Sequence, residues 1–131
     1  MTATPPKRRL APKRILLVED EPMVAHTLRM VLVVSGHIVD TAEDGDVALA
    51  MFGGGTYDLV ITDFKMANMD GLELAEAIKK RSPSTPIILL TAYAEAVRGA
   101  GGEVSNVDAV LGKPCSIPEL QAGLEKVFPA G

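Results

Sequence analysis

Cysteine is nearly absent: Cys115 is the one thiol among 131 residues. No internal disulfide can form, which excludes a disulfide-stapled secreted scaffold. Long apolar runs are missing as well, and no stretch approaches the roughly 18 to 20 residues that a membrane span needs. The first residues, MTATPPKRRLAPKRILLV, carry the charges of a signal peptide without its apolar centre. Pro12, Lys13 and Arg14 leave only Ile15 to Val18 in that place, short of the roughly 7 to 15 residues expected. A soluble cytoplasmic protein is therefore expected.

Acids are absent from the first 14 residues, which hold Lys7, Arg8, Arg9, Lys13 and Arg14. The formal net charge of −4 thus divides into a +5 start and a −9 remainder, with 8 bases against 17 acids. An acidic body binds nucleic acid poorly by itself, because phosphate contacts dominate that affinity. The basic, proline-containing segment 1–12 is expected to be a disordered tail, and residues 13–131 a single folded domain. Hydrophobic residues at 47% argue against disorder of the whole. A chain of this length buries roughly two-thirds of its unfolded surface.

From Arg14 onward short apolar runs alternate with helical patterns. Ile15 to Val18 reads as a strand buried on both faces. Pro22 suits a first helical turn, and residues 23 to 35 read as helix until Gly36. Ile38 to Ala42 is a half-polar strand, as near a sheet edge. Asp44 can cap a helix through about Phe52, ended by Gly53, Gly54 and Gly55. Tyr57 to Thr62, Pro86 to Leu90 and Val107 to Leu111 are further strands. Gly71 to Arg81 is a helix closed by Ser82-Pro83, residues 94 to 101 are weakly helical, and Ile117, Leu120, Leu124 and Val127 stripe a last helix. Five strands and five helices in alternation predict an α/β fold with a parallel sheet and right-handed crossovers.

Binding sites in such sheets form beyond the carboxyl ends of the strands. Glu19, Asp20 and Glu21 follow the first strand, Asp63 the third, Thr91 the fourth and Lys113 the fifth. In the order 2-1-3-4-5 the first and third strands are neighbours, and Asp20 meets Asp63. Two carboxylates ~4 Å apart repel by about 4 kcal/mol at an effective dielectric near 20. A hard cation relieves that repulsion, and Mg²⁺ suits one or two carboxylates with waters and a phosphoryl group. Thr91 and Lys113 can meet phosphoryl oxygens, and Asp63 can act as a nucleophile that becomes an aspartyl phosphate. One acid after one strand would be an ordinary helix cap. Acids, hydroxyl and ammonium on four strand ends are a site.

The segments LLVEDEP, VITDFKMANMDGLEL, LLTAYAE and LGKP resemble the receiver domain of two-component response regulators, over about residues 13 to 128. The resemblance implies a flavodoxin-like, doubly wound five-stranded sheet of order 2-1-3-4-5. It makes Asp63 the phosphoacceptor, and Glu19 and Asp20 the acidic pair, with Asp20 a direct Mg²⁺ ligand and Glu19 acting through water. The Lys65 carbonyl supplies a further ligand, Thr91 is the switch hydroxyl, Lys113 pairs with the phosphoryl group, and the Lys113–Pro114 bond is cis. Ala92 leaves the phosphoryl group room. The implied partners are a sensor histidine kinase or a histidine phosphotransfer protein. The protein would be an acceptor taking part in its own phosphorylation and dephosphorylation, rather than an enzyme with a separate substrate.

Three positions depart from the family pattern. Val110 stands where an aromatic usually reports the switch, Ala67 where proline is customary, and Cys115 where phenylalanine is. None touches the phosphorylation chemistry. The remaining side chains read more plainly. Met66 and Met69 are gap fillers, and Cys115 is a small buried hydrophobe. His26 lies on a helix face, His37 in a turn. Tyr93 reads as a rim residue, with gating of water and tuning of the phosphoryl lifetime as the functional alternative, and Lys65 stands the same way. Met30 to Val34 is apolar around more of its helix than one buried face needs, which wider burial or docking of a phosphodonor bundle would explain.

Pro129, Ala130 and Gly131 alone follow Phe128, so a stand-alone receiver is expected. It would be a monomer or a weak phosphorylation-dependent dimer, signalling through protein contact or onward relay without direct DNA binding. A phosphorylation-independent adaptor is the alternative. A Mg²⁺-dependent phosphatase with an aspartate nucleophile is the third reading; it usually needs a second acid where Lys65 stands.

Overall fold

The structure, a computed structural model, describes residues 11–94 and 106–128. Its strands are β1 (Arg14–Val18), β2 (Ile38–Ala42), β3 (Leu59–Asp63), β4 (Ile87–Thr91) and β5 (Ala109–Gly112). The helices among the described residues are α1 (Pro22–Val34), α2 (Gly45–Gly54), α3 (Gly71–Arg81) and α4 (Ile117–Val127). All strand pairs are parallel, in the order β2-β1-β3-β4-β5. The fold is the expected doubly wound sheet. Four helices stand among the described residues against five expected; of the helix expected over 94–101, only Ala94 lies within them.

The continuous apolar runs become the inner strands because both of their faces are covered. Every residue of β3 and β4 is buried, as are Ile15 to Val18 of β1. Alternation then divides each strand between two cores. Ile15 and Leu17 join Leu59, Ile61, Leu32 and Leu120 on the α1–α4 face. Leu16 and Val18 join Val60, Leu74 and Ile78 on the α2–α3 face. Each such fully buried aliphatic side chain contributes about 1.5–3 kcal/mol. The half-polar strand is the outer β2, as its pattern predicted.

Local signals place most helix ends. Pro22 opens α1, and Gly36 follows it at φ +101°, in the left-handed region. Asp44 accepts the Val47 N–H at 2.8 Å to cap α2. Asp70 with Glu73, and Ser116 with Glu119, form reciprocal capping boxes on α3 and α4. Helix α2 runs through Gly53 and Gly54 and stops only at the extended Gly55, two residues later than the glycine run predicts. Strand β5 starts at Ala109 rather than Val107, because the Asp108 carboxylate takes the Ile87 N–H (2.8 Å) and the Lys79 ammonium (2.9 Å). Strand β3 likewise starts at Leu59, after the Asp58 carboxylate has taken the Arg14 N–H at 2.8 Å. No helix among the described residues is long and apolar enough to cross a membrane.

Candidate functional site

The carboxyl ends of β1, β3, β4 and β5 lie side by side, so register decides what meets there. Val18 pairs with Thr62, Asp63 with Leu90, and Thr91 with Gly112. The next residues along, Glu19, Asp20 and Lys113, therefore converge on Asp63. Glu19, Asp20 and Asp63 each offer a carboxylate oxygen within 4.8 Å of the others. Glu19 and Asp63 are buried, whereas Asp20 is exposed. Three oxygen anions this close are the donor chemistry of a hard divalent cation, so the residues fit Mg²⁺.

Lys113 answers part of the charge. Its Nζ lies 2.8 Å from Glu19 Oε1 and 3.2 Å from Asp63 Oδ2. Burial acts to lower the pKa of this ammonium, and its bonds to Glu19 with the charge of Asp63 overturn that, holding it above the ordinary value. Burial raises the Glu19 carboxyl against the opposing pull of Lys113 and of the Glu21 N–H. Both Glu19 oxygens are engaged, Oε1 by Lys113 and Oε2 by the Glu21 N–H at 3.1 Å. Asp20 is the member of the acidic pair that faces solvent.

Thr91 is 2% exposed, and its hydroxyl oxygen accepts the Tyr93 N–H at 3.0 Å. The Lys113 N–H donates to the Thr91 carbonyl at 2.9 Å, which ties the lysine loop to β4. The Lys113–Pro114 peptide bond is cis, as the resemblance implies. Tyr93 is 60% exposed, a rim residue, and the Lys65 side chain is exposed two positions beyond Asp63. Cys115 is half-buried against the α1–α4 core, and burial with the nearby Glu119 charge pushes its thiol up.

Sequence reasoning missed a pocket of about 330 Å³ beside Asp20. Pro22, His26 and Arg29 line one side of it, Thr41 and Glu43 the other. Its signal was the spacing of 22, 26 and 29 on one face of α1. His26 was legible as a helix-face residue but not as part of this wall. The apolar surplus of α1 is exposed, with Met23 and Val34 more than four-fifths accessible and Met30 about half.

A sequence profile of the response regulator receiver domain matches residues 15–125. The chain is 36% identical over 123 residues to the transcriptional regulatory protein TcrA of Mycobacterium tuberculosis, covering 94% of this chain and 49% of that one. It thus spans about half the length of the curated relatives of this kind. Among solved structures, the response regulator protein TrrA of Thermotoga maritima, in complex with Mg²⁺-BeF, superposes with a TM-score of 0.79 at 40% identity. That likeness covers 88% of this chain and 98% of TrrA. The chemotaxis protein CheY4 of Vibrio cholerae gives a TM-score of 0.81 at 29% identity, over 89% of this chain and 99% of that one. With its sheet order, its carboxylate cluster and its matched segment in agreement, the chain belongs to the response regulator receiver domains.

Proposed function

We propose that Asp63 accepts a phosphoryl group from the phosphohistidine of a sensor histidine kinase or histidine phosphotransfer protein, in the cytoplasm. The observation that carries this reading is Lys113 held between Glu19 and Asp63 beside an exposed Asp20. In the transfer, an Asp63 carboxylate oxygen forms a bond to phosphorus as the donor's P–N bond breaks. The electron pair leaves on the imidazole nitrogen, which takes up a proton. Lys113 shifts its ammonium onto a phosphoryl oxygen, and the Thr91 hydroxyl donates to another.

Mg²⁺ would be held by Asp20, Asp63 and the Lys65 carbonyl, with Glu19 acting through water. When bound, it neutralises charge on the carboxylates and the phosphoryl oxygens. The complex of TrrA with Mg²⁺-BeF supports this assignment. Phosphorylation then shifts the population between two forms, and the output is protein contact or onward phosphoryl transfer. The protein is the acceptor in this chemistry and processes no separate substrate.

The test is incorporation of acid-labile phosphate from a panel of phosphorylated histidine kinases and phosphotransfer proteins, with Mg²⁺ present. The wild-type chain takes up label and Asp63→Asn takes up none. Labelling of Asp63→Asn at the wild-type level would refute the acceptor. A wild-type chain that neither takes label nor binds Mg²⁺ would favour the phosphorylation-independent adaptor.

A further inference from the structure

The loop between Asp63 and α3 is held at its base and by two methionines. Lys65, Ala67 and Asn68 are exposed, while Met66 and Met69 pack onto the core that holds Val18, Ala42 and Leu74. Met66 Sδ lies 3.9 Å from the Thr62 hydroxyl, which donates to the Asp63 carbonyl at 2.9 Å. The Met69 N–H reaches back to the Ala67 carbonyl at 2.8 Å across Asn68, whose φ is +71°. At the loop's base the Gly71 N–H donates to the Phe64 carbonyl at 2.8 Å. These two backbone bonds make 64–71 a short, closed turn.

Two glycines allow the close packing of this turn. A Cβ on Gly71 would run into the Asp63 carbonyl oxygen and lie 2.7 Å from Leu89 Cδ1. The turn therefore has no room to retreat on the Asp63 side. A Cβ on Gly45, the first residue of α2, would lie 2.9 Å from Met69 Sδ, 3.0 Å from its Cβ and 3.1 Å from its Cγ. A thioether end can rotate away, but the Met69 Cβ is rigidly attached to its backbone. A methyl group at position 45 therefore forces the Met69 end of the turn, or the start of α2, to give by a few tenths of an ångström.

From this we infer that the seat of Met69 on Gly45 positions the loop after Asp63, and so sets the affinity of the carboxylate site for Mg²⁺. Gly45 and Met69 are positioning residues: neither is one of the ligands, and Gly45 stands on a different element. The inference rests on the Mg²⁺ reading given above. The same turn carries Met66, which touches the Thr62 hydroxyl bonded to the Asp63 carbonyl. Groups bonded to a metal's ligands change its affinity by roughly 10- to 100-fold when altered.

Isothermal titration of the whole chain with Mg²⁺ tests it, alongside thermal unfolding of each variant. Gly45→Ala and Met69→Ala each weaken Mg²⁺ binding about tenfold, and Met69→Leu, which keeps the bulk, stays near wild type. Ile78→Val lies in the same core away from the turn, and it lowers Tm without changing Mg²⁺ affinity. Wild-type affinity in a folded Gly45→Ala or Met69→Ala would overturn the inference. An equal loss in Ile78→Val would overturn it too, since general destabilisation would then suffice. If Gly45→Ala does not fold, Met69→Ala with its leucine counterpart decides. A wild-type chain that binds no Mg²⁺ overturns the metal reading itself, and the coupling falls with it.

Discussion

Lys113 and Glu19 stand 94 positions apart in the chain and meet at 2.8 Å across the ends of β5 and β1. The Glu19 side chain is wholly buried, and that of Lys113 is 24% exposed. The pair therefore anchors the lysine beside Asp63 as well as neutralising part of the site.

Lys113→Met should remove both functions. Leaving the buried Glu19 without its strongest partner costs about 1–3 kcal/mol, read as a lowered midpoint in urea unfolding. Phosphate uptake from a small phosphodonor should fall in the same variant while its far-ultraviolet circular dichroism is unchanged. An unchanged midpoint would show that Glu19 finds a new partner.

Asp20 is the exposed member of the carboxylate cluster, so its removal should cost metal binding more than stability. At Mg²⁺ ten times its Kd, binding to the folded state alone stabilises by about 1.4 kcal/mol, a rise in Tm of roughly 5 °C. Thermal scans with and without Mg²⁺ should show that rise in the wild-type chain and lose it in Asp20→Asn.

His37 gives the fold an acid limit. It is 7% exposed, and its Nδ1 accepts the Lys13 N–H at 3.0 Å, a bond that needs the neutral ring. Burial, then the charge of Lys13, holds its pKa below the ordinary 6.5. The unfolded chain thus binds the proton more readily, and stability is lost as pH falls from about 6.5 through the lower folded value. Urea midpoints measured from pH 7.5 to 5 should fall in the wild-type chain. His37→Asn, which keeps an acceptor in place of Nδ1, should give a flatter profile over that window.

If the proposed phosphodonor docks on α1, the exposed stripe of Met23, Met30 and Val34 is the face it meets. Met30→Glu should slow transfer from the cognate protein donor about tenfold, by placing a charge in an apolar contact. Transfer from a small phosphodonor should be unaffected. Equal slowing with both donors would assign the effect to the site instead.

The fold was legible where chemistry is local. Pro22 and Gly36 bound α1, Asp70 and Ser116 cap their helices, and the wholly apolar runs are the inner strands. Asp63, Thr91 and Lys113 could be read because each ends a strand, and register carries the ends together. What stayed hidden depends on partners distant in sequence. No pattern shows that the Thr91 oxygen takes the Tyr93 N–H, that Asp108 delays the start of β5, or that Met69 fills the space Gly45 leaves. Met66 and Met69 read as gap fillers and do pack against the α2–α3 core, but which neighbour each one fills against needs coordinates.

Synthesis runs from β1 to β5, and this direction bears on the Lys113–Glu19 pair. The ribosome makes the acids of β1 and β3 well before the cation that answers them. Until β5 docks, Glu19 has no ammonium beside it, and closing β1 over it would bury an uncompensated charge. A nascent chain ending before residue 113 should therefore leave this corner of the sheet open to water. The charge balance around Asp63 is thus complete only once the last strand delivers Lys113.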